Sequence, residues 1–492
     1  MTGKYIYRFF TFLAILFSSS LTAQNLNPDK DLVFDPKLVA VIRVEMDESE
    51  KQWLLDQDNA QNDIYLKCDL HFKNANIDEN RYEVGIRIRG NTSRMHPKKS
   101  FKFNFTEWEG EKFYGHKKFN LKATNNDPTL IREHMSLAVY RRSNVPAARS
   151  HHCRLYINDE FMGIYTNIEQ IDDEFLDTRF GSEEGNLYKC YWGASLEKSN
   201  DAYNQNLFEL ENNRDINDRS ILENFIDVLN NTSNANFKTE IEKVLNIENA
   251  LRFLAVEAIL GHWDGYAYNK NNYYIHENPI TNKINFIAYD VDNTFGINWI
   301  PNDWATRDLI DWAHETDKRP LHNRLLDVPE FYDRYLAICE EVIEKYFNEK
   351  ALFWEIENTR DRIKKFVSED TYYSLTYGFS YDDFLDSYTE EVVRHCPYGI
   401  MPYVTRRVES AMEQIPTIST VYTKSQEFPI TYLGDGVFLL GKNQKKESLD
   451  AYNLNGIGLR ITWLSHNLFH IDPEQKVLIL IIEDTYKKVL MQ

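Results

Sequence analysis

The sequence predicts an α+β protein in which strands dominate the first part of the chain, helices the second, and a small all-β domain forms the end. Apolar and polar residues alternate in short runs between residues 38 and 168, which is the period of half-buried strands. Between residues 248 and 414 apolar residues mostly recur at helical spacing, and strand-like apolar runs return after residue 425. A chain of 492 residues has room for two or three domains.

The composition indicates a folded, acidic protein. Apolar residues make up 42% and charged residues 27%, which is typical of globular proteins. The formal net charge of −20 argues against nonspecific binding to nucleic acid or anionic membranes and permits a basic protein partner. The five cysteines form no C-x-x-C pair, so a zinc site is not expected and no disulfide is assigned.

Residues 1–23 have the pattern of a secretory signal peptide. Lys4 and Arg8 give a positive start, residues 9–17 are apolar, and residues 21–23 form a small-residue cleavage site. The apolar stretch is too short for a good transmembrane helix, and no later segment is predicted to span a bilayer. We therefore expect export of the mature chain.

The first strands surround a basic, polar turn. Strands are predicted at residues 38–45, 63–73 and 82–89, with a helix at 48–55, and Phe101 to Phe105 alternates strictly with polar residues. A strand, a basic turn and a returning strand can cover phosphate groups. The alternative is a surface hairpin whose lysines protect an edge strand, and composition alone favours that alternative.

A helix and a hairpin follow. Asp127-Pro128 has the residue types of an N-cap and first helical position, so we expect a helix from there to about Arg142. Within it, Arg132 and Glu133 are expected to be solvated unless they turn towards a site. Residues 152–168 are predicted to form a hairpin, with a helical stretch after it.

Residues 248–296 carry the strongest functional signal. An apolar stripe predicts a helix that ends at Gly261, because glycine accepts the left-handed conformation of a C-cap. His262-Trp263-Asp264 follows, with Asn269 five residues after the aspartate. Two strands come next, and the second, at residues 284–290, runs into the acidic residues.

The order of these residues matches the needs of phosphoryl transfer. That reaction requires an Asp beside the acceptor and an Asn and a second Asp that hold magnesium, in the pattern H-x-D, Asn five residues later, then D-F-G. His262, Asp264 and Asn269 match it, and the stretch from Asp290 to Gly296 matches more loosely. The alternative is structural, because Asp and Asn are common in caps and turns.

Five stretches, taken together, resemble the CotH kinase family of atypical protein kinases, first known from spore coats. They are IRIRGNTSRMHPKKSFKFNF, LKATNNDPTLIREHMS, YINDEFMGIYTNIEQID, HWDGYAYNKNNYYIHENP and FIAYDVDNTFG. The resemblance covers about residues 36–412. It implies a two-lobed atypical protein-kinase-like domain that uses ATP and Mg²⁺ or Mn²⁺ to phosphorylate Ser or Thr of a protein substrate.

The resemblance also implies roles for individual residues. Asp264 is implied to be the catalytic residue that orients the acceptor hydroxyl. The implied metal ligands are Asn269, Asp290 and Asp292. The residues implied to contact the nucleotide are Arg89, Gly90, Asn91 and Ser93 in a covering turn, Lys99 at the phosphates, and Glu169 at the segment that joins the lobes. Lys98 is the alternative to Lys99, and Glu133 is the nearest candidate for the helix glutamate that pairs with the lysine, although no partner is assigned.

The end of the chain differs from the rest. Residues 413–424 are predicted to be a linker and residues 425–492 a small β-rich domain. Tyr452 to Gly456 and Lys487 to Gln492 resemble the C-terminal sorting domain of the type IX secretion system of Bacteroidetes. That resemblance implies delivery to the cell surface or the medium.

Two other functions stay open at this stage. A kinase-like fold can transfer AMP from ATP when the nucleotide binds in reverse. The fold can also serve as a non-catalytic surface binding protein, for which the tryptophans near residues 299–312 would be suited if exposed. The sequence does not name the protein substrate, the preferred metal or the oligomeric state.

Overall fold

The computed structural model describes residues 27–198, 206–313 and 318–415, together with strands between residues 430 and 490. The chain divides into two units after Ile415. The predicted signal peptide at residues 1–23 and residues 416–424 of the predicted linker lie outside the described residues.

A closed barrel of seven strands forms the first half of the larger unit, in the order β1-β2-β3-β4-β5-β7-β6. Parallel pairing of β1 with β6 closes it. The strands are β1 Val39–Glu45, β2 Leu66–Lys73, β3 Asp78–Arg89, β4 Ser100–Asn104, β5 Lys118–Lys122, β6 Ser150–Ile157 and β7 Glu160–Glu169.

Residue alternation decides which side chains fill this barrel. Phe101 and Phe103 on β4 are fully buried in its core, as are Phe119 and Leu121 on β5. Because successive side chains of a strand point to opposite faces, the polar residues between them face outwards. The predicted alternation is confirmed, and the outward face of β3, β4 and β5 is where charged side chains collect.

A second sheet, of order β11-β10-β8-β9, lies in the other half of this unit among the helices. Its strands are β8 Leu187–Cys190, β9 Phe208–Leu210, β10 Tyr273–Asn278 and β11 Lys283–Ala288. The helices are α1 Glu48–Leu55, α2 Arg132–Arg142, α3 Asp173–Phe180, α4 Ser220–Asn231, α5 Asn234–Val244, α6 Ile247–Leu260, α7 Tyr266–Asn269, α8 Pro320–Leu326, α9 Pro329–Lys345, α10 Glu349–Val367, α11 Tyr381–Asp386 and α12 Ile400–Gln414.

Helix α6 is the buried helix on which the second half is built. Its ring at Phe253 stacks on Phe286 of β11 with centroids 5.4 Å apart. Gly261 caps the helix at φ +70°, as its position in the sequence predicts. The chain therefore leaves α6 in a fixed direction, directly into His262-Trp263-Asp264.

Helix α2 begins later than the sequence predicts. It starts at Arg132 instead of after Asp127, because Leu130 adopts φ +59°, which a right-handed helix does not allow. The buried Asp127 carboxylate still accepts hydrogen bonds from the backbone N–H groups of Thr129 at 2.9 Å and Arg132 at 2.8 Å. It therefore caps a compact turn that precedes the helix.

Lys98 ties the barrel to the segment after α10. Its ammonium donates to Asp370 at 2.7 Å and to the carbonyl of Ile164 at 2.9 Å, and both charged side chains are buried. Gly163 allows this approach, since a Cβ at that position would lie 2.2 Å from the Asp370 carboxylate. A buried ion pair of this kind is costly to break, so Lys98 is a structural residue.

The strands described after residue 430 form two small antiparallel sheets, of order β12-β13-β16-β15 and β14-β17-β18. They are β12 Ile430–Gly434, β13 Val437–Leu440, β14 Leu449–Asn453, β15 Thr462–Trp463, β16 Leu468–His470, β17 Val477–Ile482 and β18 Thr485–Leu490. The runs predicted at 437–440 and 477–482 coincide with β13 and β17.

Two further observations concern the chain as a whole. Within the described residues, none of the helices has both the length and the apolar character that crossing a bilayer requires. All five cysteines are buried free thiols.

Candidate active site

A cavity of about 1110 Å³ separates the outward face of the barrel from the second sheet and its loops. Four regions line it: the barrel face, the turn after β3, the strand ends of the second sheet, and the loops that follow α6 and β11. Among the lining residues are Arg89, Gly90, Asn91, Ser93, Lys102, Lys122, Glu133, Glu169, Lys189, Tyr274, Asp264, Asn272, Asp290, Asp292 and Asn293.

Lys122 lies at the centre of an acidic cluster formed with Glu133, Asp290 and Asp292. Its ammonium is 2.8 Å from the Glu133 carboxylate, contacts Asp290, and lies 3.4 Å from Asp292. The four side chains come from β5, the first turn of α2 and the loop after β11. The cluster therefore joins the barrel to the second half of the unit through charge.

Burial and charge shift the pKa values of this cluster strongly. Burial alone would lower the pKa of Lys122, but the carboxylates of Asp290, Asp292 and Glu133 outweigh it and hold that pKa well above its ordinary value. Burial raises the pKa of Asp292 to about 8, and the neighbouring carboxylates reinforce the shift. Lys122 instead lowers the pKa of Asp290 against the effect of burial.

With all three carboxyl groups ionised, the cluster would carry an excess of negative charge around one ammonium, and the pKa of Asp292, raised to about 8 by burial and by its neighbours, reflects this repulsion. One oxygen of each of Glu133, Asp290 and Asp292 lies within 4.8 Å of the others. Hard divalent cations such as Mg²⁺ are bound by carboxylate oxygens of this type. The side chains present therefore fit a divalent ion, which would balance the excess charge.

The loop after β11 takes an unusual backbone conformation at the first acid. Asp290 has φ +51°, a left-handed conformation that costs roughly 1–2 kcal/mol in a non-glycine residue. The strand that leads into it is buried, with Phe286 and Ile287 fully covered. Strain of this kind persists only where the surrounding structure fixes it, and it is concentrated at functional sites.

Asp264 is held by side-chain amides. Its carboxylate accepts hydrogen bonds from the amide nitrogens of Asn269 at 2.5 Å, Asn272 at 3.0 Å, Asn293 at 3.2 Å and Asn271 at 3.4 Å. Burial raises the pKa of Asp264, and these hydrogen bonds oppose the shift. The carboxylate is therefore fixed in position and shielded from bulk water, while it still lines the cavity.

Glu257 of α6 supports this loop from beneath. Its carboxyl Oε1 accepts a hydrogen bond from the N–H of Ala267 at 2.8 Å, and a Cβ at Gly265 would lie 2.3 Å from the same oxygen. Burial raises the pKa of Glu257 to about 8. A neutral, buried carboxyl thus anchors the backbone that carries Asp264.

The turn after β3 lines the cavity. Gly90 has φ +113°, and a Cβ there would lie 2.3 Å from the Ser93 hydroxyl. Arg94 holds the turn by donating to the carbonyl of Gly90 at 2.7 Å and to Asp63 at 2.6 Å. Arg89, Gly90, Asn91 and Ser93 all line the cavity.

Lys99 does not lie at the acidic cluster. Its ammonium donates to Gln57 at 2.6 Å and to the carbonyl of Arg94 at 2.7 Å. The lysine that the structure brings to the acids is Lys122, and Glu133 is its helix glutamate. The sequence signal for Lys122 is its place at the end of a strictly alternating strand, eleven residues before a glutamate in the first turn of a helix.

Of two other implied residues, Glu169 lines the cavity and Asn269 does not. Glu169 ends β7 and is ion-paired with Arg149 and, at 2.6 Å, with Arg179; burial opposes its ionisation, but the two guanidinium groups hold its pKa well below its ordinary value. Asn269 lies behind Asp264, and its carbonyl oxygen accepts from the indole of Trp192 at 3.2 Å. Asn272 and Asn293 are the amides on the cavity side.

The tryptophans after β11 divide into buried and exposed members. Trp304 and Trp312 are almost fully buried, whereas Trp299 is 46% exposed and lines the cavity. Trp299 stacks on His395 with ring centroids 4.2 Å apart. The condition that these tryptophans be exposed, on which a binding surface would depend, is therefore met by Trp299 and not by Trp304 or Trp312.

Comparisons with known proteins agree with this geometry. A family model described as CotH kinase protein matches residues 86–398, a range that contains every cavity residue named above. The chain is 24% identical over 301 residues to the inner spore coat protein H of Bacillus subtilis (strain 168), which covers 60% of this chain and 81% of that protein.

Two similar fungal proteins come from Rhizopus delemar. The chain is 27% identical over 262 residues to spore coat protein homolog 1, covering 50% of this chain and 41% of that protein. It is 26% identical over 252 residues to invasin CotH2, covering 48% of this chain and 42% of that protein. The chain thus spans less than half the length of these fungal relatives.

Proposed function

The chain belongs to the CotH kinase family, and from that premise we propose that it transfers the γ-phosphoryl group of ATP to a Ser or Thr hydroxyl of a protein substrate. The observation that carries the proposal is the ion cluster of Lys122 with Glu133, Asp290 and Asp292, in the same cavity as Asp264. Phosphoryl transfer needs little beyond such positioning and charge.

Lys122 has the role of the phosphate-contacting lysine. Glu133 holds its ammonium at 2.8 Å from the side of α2, and Asp290 and Asp292 contact it from the loop after β11. An ammonium with a raised pKa stays charged throughout the physiological range, so it can neutralise phosphate oxygens. Lys122 replaces Lys99 in this role.

Asp264 has the role of the residue beside the acceptor. Its carboxylate accepts a hydrogen bond from the substrate hydroxyl and takes up the proton as the new O–P bond forms and the bond to ADP breaks. The amides of Asn272 and Asn293 fix the carboxylate by hydrogen bonds to one of its oxygens. Positioning of this kind supplies much of the rate enhancement in such reactions.

Asp290 and Asp292 would hold Mg²⁺ or Mn²⁺, together with an amide from the Asp264 loop. A divalent ion there neutralises the charge of the transferred phosphoryl group. The two aspartates and Glu133 fit this ion because their oxygens converge and their charge exceeds that of Lys122. The contribution of the chain itself is to place these oxygens before the nucleotide arrives.

We further propose that the protein acts outside the cytoplasm. The proposal is supported by the signal-peptide pattern of residues 1–23 and by the sorting-like residues near the C-terminus. The net charge of −20 suits a basic protein substrate.

Labelled ATP tests the proposed transfer and the choice of lysine. With Mn²⁺ and a basic protein substrate, we expect label from γ-labelled ATP and none from α-labelled ATP. Because an arginine cannot reproduce the compact ammonium that three carboxylates enclose, Lys122→Arg should lower the transfer rate by about 100-fold or more, an estimate in the range of lost electrostatic groups.

Lys99→Arg is the matched control, since Lys99 follows the covering turn in sequence but its ammonium binds Gln57 and the carbonyl of Arg94. It should keep the transfer rate within about threefold of the wild type. Transfer of the α-label would instead establish AMP transfer. Absence of any label from the wild-type chain would contradict the proposed activity.

A further inference from the structure

The cavity also contains cations that form no ion pair with a carboxylate. Arg89, Lys102 and Lys189 line the cavity, and among the described residues none of the three has a carboxylate oxygen within 4.0 Å, whereas Lys122 has three carboxylate partners. We refer to Arg89, Lys102 and Lys189 as the basic trio. Uncompensated charge inside a cavity costs free energy, so its presence calls for an explanation.

The strand register increases this cost. Lys102 of β4 lies directly opposite Arg87 of β3 and Asn120 of β5, and like charges directly opposite on a sheet are destabilising. Arg87 is ion-paired with Asp63. Glu211, whose charge acts on both Lys102 and Lys189, is itself 3.8 Å from Arg214.

The trio forms no ion pair with the acidic cluster, although the charges of Arg89 and Lys189 act on Asp290, and it lies within reach of the same ligand. Asn120, the neighbour of Lys102, precedes Lys122 by two residues on the same face of β5. Two residues along a strand span roughly 6.5–7 Å. A phosphate held by Lys102 would therefore lie at least about one phosphate diameter from the phosphate held at Lys122, so the two lysines would hold different phosphate groups.

We propose that the basic trio forms a second anion subsite, which binds a phosphate group in addition to the one held at Lys122. The inference rests on the proposed function for the placement of the first phosphate, but the subsite itself follows from the trio. Its ligand is a phosphate dianion, because three donor-only cations line the same cavity and, among the described residues, none of the three is ion-paired with a carboxylate. The phosphate belongs either to the same triphosphate or to a second small phosphorylated molecule.

The ionisation of Lys102 provides an independent signature. Burial lowers the pKa of Lys102 to about 7, and the charges of Lys118, Arg89 and Arg87 reinforce the shift while Glu211 opposes it. An anion binds the protonated ammonium, so binding above pH 7 must be accompanied by proton uptake. Affinity for an anion of constant charge should therefore fall as the pH rises through 7.

Calorimetric titration with inorganic phosphate, in the absence of nucleotide and metal, tests the subsite. We expect the wild-type chain to bind phosphate and Lys102→Met to bind it at least about tenfold more weakly, the usual loss when one charge-assisted contact is removed. Lys102→Arg should stay within about threefold of the wild type. Lys67→Met, on the exposed side of strand β2 and ion-paired with Glu83, is the matched control and should bind like the wild type.

The pH series uses sulfate because sulfate stays a dianion over the whole pH range. Its affinity for the wild type should fall from about pH 6 to about pH 8.5, with proton uptake on binding, and Lys102→Met should show neither effect. Lys189→Met provides a second variant, and it should also weaken phosphate binding. The melting temperature of each variant without ligand verifies that it is folded.

Repeating the phosphate titration with a non-hydrolysable ATP analogue and Mn²⁺ identifies the source. Simultaneous binding of both ligands indicates a second phosphorylated molecule, and mutual exclusion indicates another phosphate of the same nucleotide; either result supports the subsite. Absence of phosphate binding to the wild type, or equal binding to folded Lys102→Met, overturns it. This measurement does not depend on phosphoryl transfer. A chain that binds phosphate but phosphorylates no substrate would therefore support the subsite and contradict the proposed function.

Discussion

The surroundings of Lys122 and of Lys102 are two regions of the cavity that differ in charge balance, although both lysines occupy the same kind of strand position. Lys122 on β5 and Lys102 on β4 both follow a buried aromatic or apolar residue and point outwards from the barrel. Three carboxylates surround Lys122, whereas Lys102 faces Arg87 across the strand pair. The difference teaches that strand patterning places a lysine in the cavity, and that distant segments decide what the lysine does there.

Replacing each lysine with methionine should give the largest measurable difference between the two regions. Lys122→Met should lower the free energy of unfolding by about 3–5 kcal/mol, because it removes the nearest cation from the buried Glu133 and the partly buried Asp290 and Asp292. Lys102→Met should leave that free energy unchanged or raise it by up to about 1 kcal/mol, since it removes a like-charge contact. Urea denaturation at pH 7 measures both. Equal losses of stability in the two variants would contradict the difference in charge balance.

The affinity for Mn²⁺ should show the next largest difference between the two regions. Asp290→Asn should weaken Mn²⁺ binding by about 10- to 100-fold, a loss typical for a changed metal ligand or its immediate support, because the variant removes one of three convergent carboxylates. Glu209→Gln is the matched control, since Glu209 lines the same cavity near the trio and bonds to Tyr191. Calorimetric titration with Mn²⁺ measures the effect. If Glu209→Gln lost as much affinity as Asp290→Asn, the metal would have to be placed elsewhere.

Local signals predict much of the fold. Helix α1 was expected at residues 48–55 and is found there, because its residues and its Asp47 cap act within one turn. The end of α6 at Gly261 follows from one residue's freedom at positive φ. The predicted start of α2 is wrong. Asp127-Pro128 has the residue types of a helix start, but the positive φ of Leu130 prevents a helix from beginning there.

The site was predictable where its residues lie close in sequence and not where they come from distant segments. The spacing of Asp264 and of Asp290 singled out loops that do line one cavity. Lys99 was chosen for its place after the covering turn, yet its ammonium binds Gln57 and Arg94. The contact of Lys122 with Asp290 joins residues 168 positions apart, which no local pattern reports.

The sequence does not predict the basic trio, for the same reason. Phe101-Lys102-Phe103 also fits a surface hairpin with an exposed lysine, and only the folded chain brings Lys102 and Lys189 to the same cavity. Sequence alternation fixes the face of a strand. It does not state whether that face meets water or another part of the protein.

The most direct test of the central claim, that this cavity carries out phosphoryl transfer, is the γ-phosphoryl transfer rate of Asp264→Asn compared with its affinity for Mn²⁺ and an ATP analogue. Asn keeps the size of the side chain and its place among the surrounding amides but cannot accept the hydroxyl proton. We expect the rate to fall by about 100- to 10,000-fold, the contribution of a positioned general base, while the nucleotide affinity stays within about threefold. A folded Asp264→Asn variant that transfers phosphate at the wild-type rate would contradict the account.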